Sequence, residues 1–172
     1  GLAFAAISEA AWAAQAEAKN PRFYFDWTSY KQSFGLKDPE SPWTPAISVV
    51  QGLQAALRLY YQDGPEAAYA RHRLLSRAIK EGIRALGLDL FGEDPERAWT
   101  VTAVRAPEGI DADRICATVR ADDGIILAPG QGPLKGKVFR IGHLGYYERL
   151  DMIRGLAAVE LALDKLGYPV KR

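Results

Sequence analysis

Apolar residues recur along this chain with two spacings, and each spacing predicts a type of secondary structure. Intervals of three and four residues, preceded by capping residues or prolines, predict amphipathic helices. The predicted helices cover residues 9–19, 45–60, 65–86, 112–120 and 148–166. Alternation of apolar and polar residues, or a short apolar run, predicts strands. The predicted strands cover residues 2–7, 88–91, 99–104, 125–127 and 138–141.

The order of these elements predicts the fold class. From Leu88 onward they follow as strand, strand, helix, strand, strand and helix. This order predicts an α/β fold, in which a small mixed or antiparallel sheet carries helices on one face. A proline-rich stretch at residues 37–45 is the best candidate for a boundary, and Thr44-Pro45 suits the start of a helix. The apolar stripe of the helix that follows predicts one buried face.

Two segments leave alternatives open. Residues 22–30 are dense in aromatic side chains, which favours either an interface or pocket lining or a locally packed loop. The helix at residues 65–86 carries four basic residues that either face an anionic partner or form a solvated surface. These basic residues are Arg71, Arg73, Arg77 and Lys80.

Composition and charge exclude several classes of protein. The formal net charge is +1, so no overall field favours nucleic acid or an anionic membrane surface. No apolar run is long enough to span a bilayer, and the apolar first residues lack the basic segment of a signal peptide. The single cysteine, Cys116, excludes an internal disulfide framework and suits a reducing compartment. We therefore expect a cytoplasmic protein.

Arg140 is the one charged residue of the predicted strand at residues 138–141, and glycines frame it. Gly142 and Gly145 follow it at positions where a side chain would block a ligand or another backbone. A guanidinium held on a rigid strand suits two-point capture of a carboxylate. The alternative is an edge-strand arginine in water. Two glycines in the preceding turn, Gly130 and Gly132, offer backbone N–H groups to an anion.

Other chemistry is sparse. No phosphate-binding loop, dinucleotide fingerprint or metal-protease motif is present. His72 and His143 are far apart in sequence, and with Cys116 they make no metal set. Cys116 lies beside apolar residues of a predicted helix, as a structural thiol would. His143 follows Arg140 closely and is either part of a site or an ordinary packed histidine.

The glycine-framed segment closely resembles the C-terminal signature of class V aminotransferases, pyridoxal-phosphate enzymes of fold type I. It reads GQGPLKGKVFRIGHLG at residues 130–145. Other segments match in the expected order: GLAFAAIS at 1–8, FYFD at 23–26, SPWTPAIS at 41–48, TVTAV at 100–104 and PEG at 107–109. Within that class, the chain resembles the group of alanine–glyoxylate and serine–pyruvate aminotransferases. The resemblance implies the end of a large domain at residues 1–44, then a linking helix and a small α/β domain at 45–172.

The resemblance also implies roles for particular positions. Arg140 aligns with the family arginine that binds the substrate α-carboxylate, and the loop with Gly130 and Gln131 would border the substrate. Ser41 or Thr44 aligns with the region that contacts the phosphate of pyridoxal 5'-phosphate across a homodimer. Which of these two hydroxyls makes the contact is left open, since Thr44 also suits a helix cap.

The family's Schiff-base lysine belongs just before the segment that matches Gly1-Leu2, and no lysine of this chain takes its place. We therefore expect a C-terminal fragment that is inactive alone and needs the N-terminal part of the same protein. The parent would pass an amino group from an amino acid such as alanine or serine to a 2-oxo acid such as glyoxylate or pyruvate. No catalytic residue and no metal ligand is expected within this chain.

Two alternatives remain at this stage. The first is a non-enzymatic α/β domain that binds small carboxylates or serves assembly. The second is other pyridoxal-phosphate chemistry in the parent, such as that of lyases or desulfurases. Desulfurases of this fold use a cysteine on a mobile loop, for which Cys116 in a predicted helix is a poor candidate.

Overall fold

Helices alone make up the first of two units in the computed structural model, which describes residues 1–170. This unit ends at Gln62, and the second unit begins at Asp63. The helices of the first unit are α1 (Glu9–Glu17), α2 (Trp27–Phe34) and α3 (Ile47–Gln62). The Ser8 hydroxyl accepts from the Ala11 N–H at the start of α1, as its capping position predicts. The division between residues 44 and 45 implied by the resemblance stays a prediction.

Predictions for the first unit are wrong in three respects. Residues 2–7 form no strand, because a strand needs a neighbouring strand and residues 1–62 contain none. The helix predicted from Pro45 begins two residues later, at Ile47, so Thr44 is not its cap. The apolar stripe of α3 is present, but every α3 residue is at least partly exposed within the described chain. Periodicity predicted that face correctly, whereas its burial depends on what packs against it.

The aromatic residues 22–30 are now resolved into a turn and a helix start. The Asp26 carboxylate caps α2 by accepting from the Thr28 N–H. The Tyr24 ring stacks on Trp43 with centroids 5.5 Å apart, and the Phe23 ring packs against Trp43 at a tilt, with centroids 4.8 Å apart. Phe23 and Phe25 nevertheless stay 76% and 80% exposed. Local packing therefore accounts for only part of this aromatic surface.

A three-stranded antiparallel sheet with helices against one face forms the second unit, as predicted. Its strands are β1 (Val101–Arg105), β2 (Ala128–Pro129) and β3 (Val138–Gly142), in the order β1-β3-β2. Its helices are α4 (Pro65–Ala85), α5 (Ala112–Asp123) and α6 (Arg149–Lys165). Alternate strand residues, such as Val104, Phe139 and Ile141, join the helices in one hydrophobic core.

Two predicted strands are shorter or displaced. Residues 88–91 contribute one isolated bridge, between Leu90 and Val104, instead of a strand. The run at residues 125–127 lies outside the sheet, and the chain joins β3 only at Ala128. Short apolar runs mark where the chain approaches the core, but pairing with a distant strand decides which residues join the sheet.

Lys80 corrects the expectation of a solvated basic face on α4. Its side chain is 2% exposed, and its ammonium donates to the backbone oxygens of Ala98 (2.9 Å) and Glu96 (3.2 Å). The Ser76 hydroxyl, one turn earlier, donates to the same Ala98 oxygen at 2.9 Å. Burial lowers the pKa of Lys80, although the nearby Glu96 carboxylate opposes this. These bonds fasten the segment before β1 to α4.

Candidate functional site

Arg140 lies on the central strand of the sheet, so the edge-strand alternative is wrong. In register, it pairs with Ala103 of β1 and Ala128 of β2. Strand residues alternate between faces, so Arg140 lies on the face opposite to Phe139 and Ile141, which enter the core. The sheet thus presents the arginine on its open face with an alanine on each side.

The hydrogen-bond pattern between β1 and β3 determines how closely Ala103 approaches Arg140. The backbone bonds from Ala106 to Lys137 and from His143 to Thr100 are both 2.9 Å long. In an antiparallel ladder, bonds at these positions make Ala103 and Arg140 a non-hydrogen-bonded pair. Such pairs place their Cα atoms only about 4.5 Å apart. A longer side chain at position 103 would therefore occupy the space beside the guanidinium.

One nitrogen of the Arg140 guanidinium is hydrogen-bonded, and another has no hydrogen-bond partner in the described part of the chain. Its Nη2 donates to the Pro129 backbone oxygen at 3.1 Å. Its Nε is buried and has no hydrogen-bond partner among residues 1–170. A guanidinium carries five N–H donors in a planar fork that matches a carboxylate. This combination orients the side chain and leaves donors available for an anion.

Backbone packing explains the glycine at position 130. The Gly130 N–H donates to the Val138 oxygen at 2.8 Å, beside β3. A Cβ atom at Gly130 would lie 2.2 Å from the Leu134 oxygen and 2.9 Å from that of Val138. No side chain fits there, so the loop itself requires this glycine. Gln131, the next residue, is exposed, and a substrate contact for either residue stays a prediction.

His143 is a packed histidine on the other side of the sheet from Arg140. Its side chain is 0% exposed, and its Nε2 lies 2.9 Å from the Thr102 hydroxyl. Its buried Nδ1 makes no hydrogen bond of normal geometry within residues 1–170, although the Trp99 backbone is near enough to oppose the lowering of the pKa of His143. Burial, with a smaller contribution from the positive charge of Lys80, lowers the pKa of His143 to about 4. The imidazole is therefore neutral near pH 7 and belongs to the core.

The segment after β3 is tied to α4 by a second histidine. His72 Nδ1 lies 2.7 Å from the Ala68 backbone oxygen, and its Nε2 accepts the Gly145 N–H at 3.1 Å. Together with Ser76 and Lys80, His72 forms a polar row at four-residue intervals along α4. The predicted solvated face of this helix did not include this row, although polar residues at one helical spacing are its signal in the sequence. The row anchors the segments flanking β1 and β3, and hence the strands around Arg140.

Ser41 and Thr44 belong to the first unit, whereas Arg140, Gly130 and Gln131 belong to the second. Both hydroxyl residues are exposed, and neither lies within a helix. Hydroxyl groups in such a turn are suitable donors to a phosphate. Their role toward a cofactor stays a prediction.

Other chemical centres are not found in the described part of the chain. Cys116 is buried in α5, and burial, followed by the nearby Asp113 carboxylate, raises the pKa of its thiol to about 11. Residues 1–170 contain no group of three or more His, Cys, Asp or Glu side chains that could hold a metal ion. None of their helices combines the length and the apolar character needed to cross a membrane.

Comparison with known proteins finds relatives along almost the whole chain. An uncharacterized aminotransferase of Methanocaldococcus jannaschii is 37% identical over 99% of this chain and 44% of its own length. The serine–glyoxylate aminotransferase of Arabidopsis thaliana is 37% identical over 99% of the chain and 42% of its own length. A Synechococcus relative, also 37% identical, over 98% of the chain and 43% of its own length, is named as the small subunit of a soluble hydrogenase. No protein-family model matches.

Solved structures agree with these relatives. The pyridoxamine–pyruvate aminotransferase of Mesorhizobium loti superposes with a TM-score of 0.83 and 34% identity. The match covers 95% of this chain and 42% of that one. The chain therefore spans somewhat less than half the length of the proteins it matches.

Proposed function

This chain belongs to the class V aminotransferases, and from that premise we propose that it supplies the substrate-carboxylate site of a pyridoxal-phosphate-dependent aminotransferase. The whole protein would transfer an amino group from an amino acid of the alanine or serine type to glyoxylate or pyruvate. Relatives named as serine–glyoxylate and pyridoxamine–pyruvate aminotransferases support these substrates. Because the chain spans less than half of such relatives, the activity is proposed for the whole protein.

The placement of Arg140 is the observation that carries this proposal. The side chain stands on the central strand, its Nη2 is held by Pro129, and its Nε has no partner within the described chain. A fixed guanidinium loses little conformational freedom when it binds a carboxylate. Arg140 would therefore bind the α-carboxylate of the amino acid and later that of the oxo acid, and so set the orientation of both.

Pyridoxal phosphate, when bound, supplies the electron sink and carries the nitrogen between the two substrates. The exposed hydroxyls of Ser41 and Thr44 are chemically suited to donate to its phosphate. Since Thr44 does not cap α3, its hydroxyl is not committed to that helix start. The lysine that holds the cofactor would come from the rest of the protein.

Replacing Arg140 in the full-length protein tests the proposal. We expect Arg140→Ala to lower kcat/KM for amino-acid donors by roughly a hundredfold or more, since a charge-assisted pair with two hydrogen bonds is lost. Arg140→Lys should recover only part of the activity, because an ammonium cannot match both carboxylate oxygens in one plane. Steady-state kinetics with serine or alanine and with glyoxylate or pyruvate would measure both effects.

Arg154→Ala is the matched control, since Arg154 is an exposed arginine on α6 in the other layer of the same unit. It should leave the kinetics unchanged. Unaltered kinetics in Arg140→Ala would refute the proposal. The alternative, a non-enzymatic domain that binds small carboxylates, is distinguished by calorimetry. In that case the full-length protein would bind these acids through Arg140 but show no transamination.

We also propose that the whole protein is a cytoplasmic homodimer. The family resemblance supports the dimer, as do the exposed rings of Phe23 and Phe25. The cytoplasmic location is supported by this chain alone, whose single cysteine suits a reducing compartment. Sedimentation of the full-length protein would test the dimer, and a monomer at micromolar concentration would contradict it.

A further inference from the structure

The fold requires most of the glycines near Arg140, each for its own physical reason, but it does not require Gly142. Gly145 has φ +85°, a backbone conformation that other residues rarely adopt. Gly130 is required because a side chain would collide with backbone oxygens. Gly142 has neither constraint: its φ is not positive, and an added Cβ would meet only Leu144 Cδ2 at 3.5 Å, an ordinary contact. The fold would accept a side chain at this position.

A glycine inside a strand is normally unfavourable, since it adds no packing and loses more backbone entropy on folding. Gly142 is the last residue of β3 and pairs with Val101 of β1. Its presence therefore needs a reason outside the fold. Close approach of a ligand is one known reason for a glycine in a strand.

The position of Gly142 indicates which ligand it would serve. It lies two residues after Arg140, so both residues share the open face of the sheet. The two cross-strand neighbours of Arg140, Ala103 and Ala128, lie on this face as well. Toward the other end of β3, Val138 also lies on this face but is buried. The residues beside the guanidinium across the sheet, Ala103 and Ala128, and the next one along β3 on this face, Gly142, are therefore all small.

We propose that Gly142 is a specificity-determining residue, and that its missing side chain leaves room for the substrate bound by Arg140. The ligand class is a 2-amino or 2-oxo acid whose α-carboxylate is on Arg140 and whose remaining atoms extend over Gly142. This inference rests on the proposed function of Arg140. A side chain at position 142 would limit the size of acid that can bind, while the fold would tolerate it.

The test is a graded series, Gly142→Ala and Gly142→Val, in the full-length protein. Glycine, alanine, serine and leucine would be compared as amino donors, with KM and kcat determined for each. We expect KM to rise in the order Gly, Ala, Val at position 142, and to rise most for the larger donors. For a donor that reaches the added methyl groups the change should be about tenfold or more. The melting temperature should stay equal or rise, since the new side chain removes a strand glycine.

Gly155→Ala is the matched control. An added Cβ at Gly155 meets nothing within 4 Å, and this residue lies on α6, in the helical layer. It should leave KM unchanged for every donor. If Gly142→Val unfolds the protein, Gly142→Ala still decides the question, because its methyl group fits without displacement. Equal KM values for all donors in a folded Gly142→Ala and Gly142→Val would overturn the inference.

The Arg140 variants separate this failure from that of the proposed function. If Arg140→Ala abolishes turnover while KM in the Gly142 variants does not depend on donor size, the carboxylate site is supported and the inference about Gly142 is refuted. If Arg140→Ala has no effect, both the proposed function of Arg140 and the inference about Gly142 are refuted. A uniform loss of kcat in the Gly142 variants, without dependence on donor size, also counts against a specificity role.

Discussion

The buried histidine His143 should make the stability of this protein depend on pH in a defined range. The perturbation is His143→Gln, which removes the titrating group and keeps a polar side chain within reach of Thr102. In the native state, burial holds the pKa of His143 at about 4, against an ordinary value of 6.5. Lys80 and His72 are the other titratable groups that act on it, and both lower its pKa further.

Proton linkage gives the direction and the magnitude of this change in the free energy of unfolding. Between pH 4 and 6.5 the unfolded chain binds a proton at His143 and the native chain does not, so stability rises with pH in this range. The contribution is fully present above the unfolded pKa and is lost as the pH falls toward the native value. The difference between pKa values of about 4 and 6.5 corresponds to about 3 kcal/mol. A loss of this size is a large part of the stability of an ordinary domain.

Urea unfolding of the wild type and of His143→Gln at several pH values from 4 to 8 would measure this term. Carboxylates also titrate in this range, so the quantity to compare is the difference in slope between the two proteins. His72→Gln is the control: it keeps the His143 imidazole, and most of the slope should remain because His72 contributes less than burial and Lys80 to the lowered pKa. Proton NMR gives a direct check, because the imidazole resonance that disappears in His143→Gln is that of His143. A His143 resonance that titrates near pH 6.5 would refute the reasoning.

Two further predictions concern the backbone and the thiol. Gly130→Ala should destabilise the protein by at least about 2 kcal/mol in urea unfolding, because its methyl group overlaps backbone oxygens that cannot move aside freely. An equal stability of Gly130→Ala and Gly142→Ala would contradict this. The Cys116 thiol should react with iodoacetamide at pH 8 about a hundredfold more slowly in the native than in the unfolded protein, given its pKa of about 11. Similar rates in buffer and in urea would show that the thiol is accessible.

Helix α5 shows what the sequence could predict. Asp111 caps its first turn by accepting from the Asp113 N–H at 2.7 Å, and Gly124 ends it with φ +69°. Both signals act between residues close in sequence, so they can be recognised without knowing the rest of the fold. The same local character applies to Ser8, which directly precedes the predicted helix at residues 9–19 and caps α1.

Predictions failed where the outcome depends on distant partners. The apolar run at residues 2–7 has the composition of a strand, but within residues 1–62 no strand is available to pair with it. The stripe of α3 follows helical periodicity, yet it stays at least partly exposed in the described chain. The prediction for Lys80 failed in the opposite direction, because a residue expected on a solvated surface is buried. Its burial depends on the Ala98 and Glu96 oxygens that meet its ammonium, and these lie on another segment.

The segment at residues 130–145 shows how structure refines a sequence signature. Most of its glycines are explained by the fold alone: Gly132, Gly136 and Gly145 have positive φ, and Gly130 has no space for a side chain. His143 is explained by the core. Arg140 and Gly142 are not explained in this way, since the Arg140 Nε is buried without a partner among residues 1–170 and neither backbone conformation nor steric contact requires a glycine at position 142. A ligand gives the simplest physical reason for these two residues. They lie two positions apart on β3 and on the same face of the sheet.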